Sequence, residues 1–158
     1  MTADPGNLGG CAHDQPGREQ DFLALPETAT ALRDALAEML GTSEARVKDY
    51  GKLQFIDCGQ NFRTVHCPAC KAEIPMDQWH TWMDEDWHGA DGFHLHRHNT
   101  PCCGAKTNLN ALLYDAPQGF AHWFVGARMS DALTLGSDQL AKLSTIAGLA
   151  LTPIHQHY

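Results

Sequence analysis

No run of lysine or arginine occurs anywhere in this 158-residue chain, whose formal charge is −8 with histidine counted neutral. Proteins that grip nucleic acid through its phosphates need a basic stripe, so that class of partner is disfavoured. No segment is long and apolar enough to span a bilayer, and no membrane role is expected. The first residues carry neither a basic region nor an apolar run, so no secretory signal is expected either. Three catalytic signatures are missing as well. There is no His-Glu-x-x-His, no nucleophile elbow around a serine, and no deaminase glutamate, although His66 directly precedes Cys67-Pro-Ala-Cys70. No residue therefore receives a catalytic or organic-cofactor assignment. An acidic surface of this kind suits solubility or a basic protein partner.

What is present is cysteine in pairs. Four of the six cysteines lie in two matched loops, Cys67-Pro68-Ala69-Cys70-Lys71 and Thr100-Pro101-Cys102-Cys103-Gly104. Laid over each other, the loops put Pro68 on Pro101 and Cys70 on Cys103. In a Cys-x-x-Cys turn both thiolates point into one concavity, and two facing turns offer four soft donors to a tetrahedral ion. The predicted ligands of one Zn²⁺ are Cys67, Cys70, Cys102 and Cys103. Thr100 stands where the second loop would carry its first cysteine, so the fourth ligand is the open point. His98, from Phe93-His94-Leu95-His96-Arg97-His98, is the substitute should Cys102 stay outside. A redox role for Cys67 and Cys70 lacks the strand–helix setting of a thioredoxin-like motif. Thiols disposed for a metal fit a reducing cytosol.

Around these loops the pattern predicts an α+β fold, a small antiparallel sheet with flanking helices and an inserted zinc-ribbon-like subdomain. Residues 1–20 read as a flexible tail, with Cys11 a bystander. Residues 21–158 read as one domain, with the insertion at about 62–113. Leu32, Ala35, Leu36, Met39 and Leu40 share a helical face that Gly41 is placed to end. Leu53–Asp57 and Phe62–His66 read as strands about a turn that holds Cys58, itself a small buried residue. Pro75 can open a helix in which Trp79, Trp82, Met83 and Trp87 share one face. Those tryptophans fit a core or a lid over the metal loops better than a docking face. Asp84, Glu85 and Asp86 read as solvated surface.

Phe93–His98 is predicted as a strand with His94, His96 and His98 on one side, which reads first as the exposed polar face of a ribbon strand and second as a row that could hold a metal as hydrolytic zinc sites do. Phe120–Arg128 reads as a strand. Ser137 is placed to cap a helix burying Leu140, Leu143 and Ile146, closed by Gly148. Leu149–Tyr158 reads as a last strand with Pro153 at an edge.

The knuckle pair resembles a zinc ribbon: Cys67 and Cys70 match its first knuckle, and Pro101, Cys103 and Gly104 the later part of its second. The segment from Val65 to Leu113 and the Leu-Tyr-Asp-x-Pro-x-Gly-Phe run after it are similar to small uncharacterised bacterial proteins. The resemblance departs from the ribbon pattern at Lys71, Thr100, Cys102 and the long insertion, and it implies metal and architecture only. The expected function is a cytoplasmic structural-zinc protein that acts as a protein–protein interaction module, an adaptor or immunity-type binder of a basic partner. The alternative is a zinc-dependent hydrolase built on His94, His96 and His98.

Overall fold

Leu32 and Leu36, one helical turn apart, set the first contact of the fold. The computed structural model describes residues 26–128 and 135–156. In it, helix α1 (Pro26–Leu40) ends at Gly41, whose φ of 62° closes the turn. Leu32 and Leu36 are buried while Asp34 and Glu38 stay wet. Their neighbours are Trp123, Val125 and Leu143, from strand β7 (Gly119–Ala127) and helix α3 (Ser137–Ala147). The predicted tail, with Cys11, and the last two positions, His157 and Tyr158, lie outside the described residues.

Strand β1 (Ala45–Ile56) pairs antiparallel with β7, from Ala45 opposite Ala127 to Ile56 opposite Gly119. The predicted strand at Leu53 is thus the second half of a longer one. The register slips between Asp49 and Gln54, where Gly51 turns at φ 64° and donates its N–H to Asp49 Oδ1. The predicted hairpin of Leu53–Asp57 with Phe62–His66 does not form. Strand β2 (Val65–His66) instead lies between β3 (Glu73–Ile74) and β6 (Leu113–Tyr114). Strands β4 (His98–Asn99) and β5 (Lys106–Thr107) form a second short hairpin. Among the described residues the fold is α+β, with three α-helices and small antiparallel sheets.

Helix α2 (Met76–Asp86) starts after Pro75 and buries Trp79 and Trp82. They sit in one core with Val65, Cys67, Ile74, Leu109 and Phe120, a floor under the knuckle strands. Full burial of each large apolar side chain stabilises by about 1.5–3 kcal/mol, so this floor is a main fastening of the segment. Trp79 Nε1 donates to Tyr114 Oη, which donates in turn to the Leu109 carbonyl, and burial raises the Tyr114 phenol well above its ordinary pKa. Trp87 departs from the predicted stripe. It follows the helix, is 40 % exposed, packs at a tilt against Phe93 and lies under Lys52 Nζ.

Two further expectations change at the C-terminal side. Gly136, not Ser137, is the N-cap of α3, its N–H bonded to Gln139 Oε1, and Ile146 is 40 % exposed while Leu143 is buried. The predicted last strand is irregular through Gln156. Ile154 anchors it in a small core with Ile56, Cys58 and Phe124, and Asn61 Nδ2 holds the His155 carbonyl. Pro153, with no N–H to give a ladder, is consistent with that outcome.

Candidate metal centre

Each of the two matched loops is a turn with the same backbone signature. Cys67 N–H bonds the Ala72 carbonyl at 2.9 Å, and Lys71 N–H returns to the Cys67 carbonyl at 2.9 Å. Thr100 N–H bonds the Ala105 carbonyl at 2.9 Å, and Gly104 N–H returns to the Thr100 carbonyl at 2.8 Å. Lys71 at φ 67° and Gly104 at φ 71° take the same left-handed corner. The correspondence therefore runs Cys67 to Thr100, Ala69 to Cys102, Cys70 to Cys103 and Lys71 to Gly104. Hairpin β2–β3 carries the first turn and hairpin β4–β5 the second.

The four thiols converge, all within 4.8 Å of one another. Cys67 Sγ is 3.7 Å from Cys103 Sγ, and Cys70 Sγ is 3.3 Å from Cys102 Sγ. A disulfide would need about 2.05 Å. A tetrahedral ion with metal–sulfur bonds of about 2.3 Å places its sulfurs roughly 3.8 Å apart, close to the separations found. Thr100, almost fully buried, holds in its turn the position that Cys67 holds in the other, and its hydroxyl is 3.3 Å from Cys103 Sγ. Cys102 reaches the fourth corner from the position that Ala69 holds in the other turn.

Hydrogen bonds favour charge on two of these sulfurs, Cys67 and Cys103. The Cys67 thiol is pulled down to about 6, first by the Cys70 N–H, with the Ala69 N–H, Thr100 and Cys103 adding to it against burial. Cys103 is lowered too, first by Thr100 and then by the Ala105 N–H. Cys70 moves the other way, pushed up to about 12. The Ala72 N–H lowers it, but the neighbouring thiols, Cys102 foremost, and burial outweigh that donor. Cys67 and Cys103, the two sulfurs whose surroundings favour charge, lie 3.7 Å apart, where two thiolates repel unless a cation sits between them. The residues fit a bound metal ion on these grounds.

The other predicted donors sort differently. His98 is not in the sulfur group. Its ring stacks on Trp82 with centroids 4.9 Å apart, its Nδ1 is 3.8 Å from Glu85 Oε2, and its Nε2 is buried without a hydrogen-bond partner. The alternation predicted for Phe93–His98 fails at Leu95, whose φ is 54°, and His94 and His96 turn toward His88 instead of His98. Asp86 is the residue that sequence reasoning misplaced. It is fully buried and accepts the Leu95 N–H at 2.8 Å and the His96 N–H at 2.6 Å. Cys58 is buried as expected, 3.2 Å from Gln118 Oε1, its thiol raised chiefly by burial. Among the described residues no helix is long and apolar enough to cross a membrane.

The fourth ligand is testable by substitution. Cys102→Ser is expected to weaken metal retention as severely as Cys103→Ser, and His98→Ala to leave it nearly unchanged, measured by competition with a chromogenic chelator. The reverse order would place His98 at the ion and Cys102 outside.

No family model, curated protein or solved structure matches this chain.

Proposed function

We propose that the four-cysteine centre holds one structural Zn²⁺ and that the protein works as an interaction module, with its surface and not its metal carrying the activity. The observation behind the first half is the closed donor set. Cys67, Cys70, Cys102 and Cys103 supply four sulfurs, a number that completes a tetrahedral zinc sphere without water or substrate. Sulfur donors of this softness favour zinc over magnesium or calcium. The equivalent turns of the two hairpins support a ribbon-type clip that ties β2–β3 to β4–β5. The thiolates are this chain's contribution; the zinc would supply the cross-link that fixes the hairpins against the α2 floor.

The second half rests on charge. At −8, the chain sets up a field that draws a basic protein and slows like-charged ones. Asp84 and Glu85 are exposed on α2, and half-exposed Trp87 follows within the same short stretch. An aromatic beside carboxylates is the composition of an interface anchor. Asp86 is not part of that face, because it points inward.

Reversing Asp84 and Glu85 together to lysine is expected to cut capture of a basic partner from host lysate at least several-fold. The loss should be salt-sensitive, with zinc content and melting temperature unchanged. Equal capture by wild type and the double variant, at low and high salt alike, would refute this face as the docking site.

A further inference from the structure

Three exposed histidines outside the sulfur centre share one point in space. His88, just after α2, and His94 and His96, on the loop leading to β4, have ligating nitrogens all within 4.8 Å of one another. His88 Nε2 is 2.9 Å from His96 Nε2. Ring centroids lie 5.1 Å apart for His88 and His96, and 5.6 Å for His94 and His96. A tetrahedral ion with metal–nitrogen bonds of about 2.0–2.1 Å puts donor nitrogens roughly 3.3 Å apart and the ring centres roughly 5.2 Å apart. The third pair, His88 and His94, stacks at 4.0 Å, closer than that spacing, so one of these two exposed rings must turn for both to hold the ion.

The backbone is built to hold this convergence. An extended strand would line up His94 and His96 with His98, on a flat row. The left-handed turn at Leu95, unusual for a branched side chain, breaks the row and folds His94 and His96 back over His88. Asp86 fixes that turn through the Leu95 and His96 N–H groups. On the other side, His88 N–H bonds the Gly92 carbonyl at 2.8 Å, and Gly92, at φ 75°, lies so close to Leu53 that an added Cβ would collide with the Leu53 carbonyl. The Asp86 carboxylate also sits 4.0 Å from His96 Nε2, where its charge favours a cation. A simple hydrogen bond between two neutral rings accounts for His88 and His96 alone. Stacking sets the His94 ring on His88, and its ligating nitrogen lies within 4.8 Å of that of His96 as well.

We infer that His88, His94 and His96 form a second metal site, separate from the sulfur centre, that takes a borderline divalent transition-metal ion of the zinc, cobalt or nickel class. Neutral imidazole is the donor these ions prefer, and three of them leave one tetrahedral position open to water or an added ligand. The site goes beyond the structural role proposed for the cysteines, and it differs from the His94, His96 and His98 grouping that the sequence suggested.

The test uses the full chain with its sulfur centre already filled with zinc. Calorimetric titration with Co²⁺ is expected to show one further equivalent. The triple variant His88→Ala, His94→Ala and His96→Ala should lose that equivalent and keep the tightly held zinc, which reports that the protein is folded. Single changes should each weaken the second equivalent by more than the roughly 10–100-fold that loss of an outer-sphere partner costs. Azide added to the cobalt-loaded wild type should shift the visible bands, because an open position accepts it. An unchanged second equivalent in the triple variant, or none in wild type, overturns the site. A cobalt spectrum indifferent to azide overturns its open coordination.

Discussion

Cys67→Ser is expected to release the metal and to unfold the knuckle segment, the largest effect of any single substitution in this protein. Cys67 is buried in the same core as Trp79 and Trp82, and it is the sulfur most stabilised as a thiolate by backbone N–H groups. Serine keeps the size but offers a hard, protonated oxygen to a site built for soft donors. Structural zinc sites in small modules carry about 10–16 kcal/mol of apparent binding energy, and that energy is folding energy. Losing one of four ligands should therefore cost several kcal/mol. Metal analysis and thermal melting together check this. Cys70→Ser should follow the same course, and full zinc retention by the Cys67/Cys70 double variant would contradict the assignment.

The next largest effect belongs to a residue that resembles its neighbours. Asp86→Ala is expected to destabilise the fold by roughly 3–5 kcal/mol, since it strands two backbone N–H groups at about 1–3 kcal/mol each together with the space they share. Asp84→Ala and Glu85→Ala should stay within about 0.5 kcal/mol, as exposed positions do. Denaturant midpoints measured across the three variants separate them. Asp86 also sits at the C-terminal end of α2, where a negative charge opposes the helix dipole. The carboxylate is kept there by the loop it ties down. A melting temperature for Asp86→Ala equal to that of Asp84→Ala would show that the loop does not depend on it.

The four-cysteine cluster was the most legible part of the sequence because its signal is local. Spacing within Cys67–Lys71 and Thr100–Gly104 fixes two turns, and each turn fixes its own sulfurs. Helix α1 was readable for a similar reason: its apolar residues recur at the helical period, and Gly41 marks its end. Strand β7 announced itself as an apolar, aromatic run.

What the sequence hid was decided at long range. Nothing in Asp84-Glu85-Asp86 distinguishes the third carboxylate until Leu95 and His96 fold against it. The histidines of Phe93–His98 alternate perfectly as a strand, and a single left-handed residue at Leu95 undoes the pattern. The first half of β1 was missed although Ala45 and Val47 face the core while Arg46 and Lys48 face out. The charged partners and Gly51 weaken the apolar signal of that alternation. Trp87 falls on the helical stripe of Trp79 and Trp82 by counting, but the helix ends one residue before it.

Four cysteine sulfurs, Cys102 among them, are proposed to enclose one zinc. Zinc K-edge absorption on the His88, His94 and His96 triple-alanine variant, loaded with one equivalent, counts those neighbours without interference from the second site. Four sulfurs at about 2.3 Å, with no nitrogen or oxygen in the coordination shell, are expected. Three sulfurs with one nitrogen, or any zinc-bound water, would contradict it.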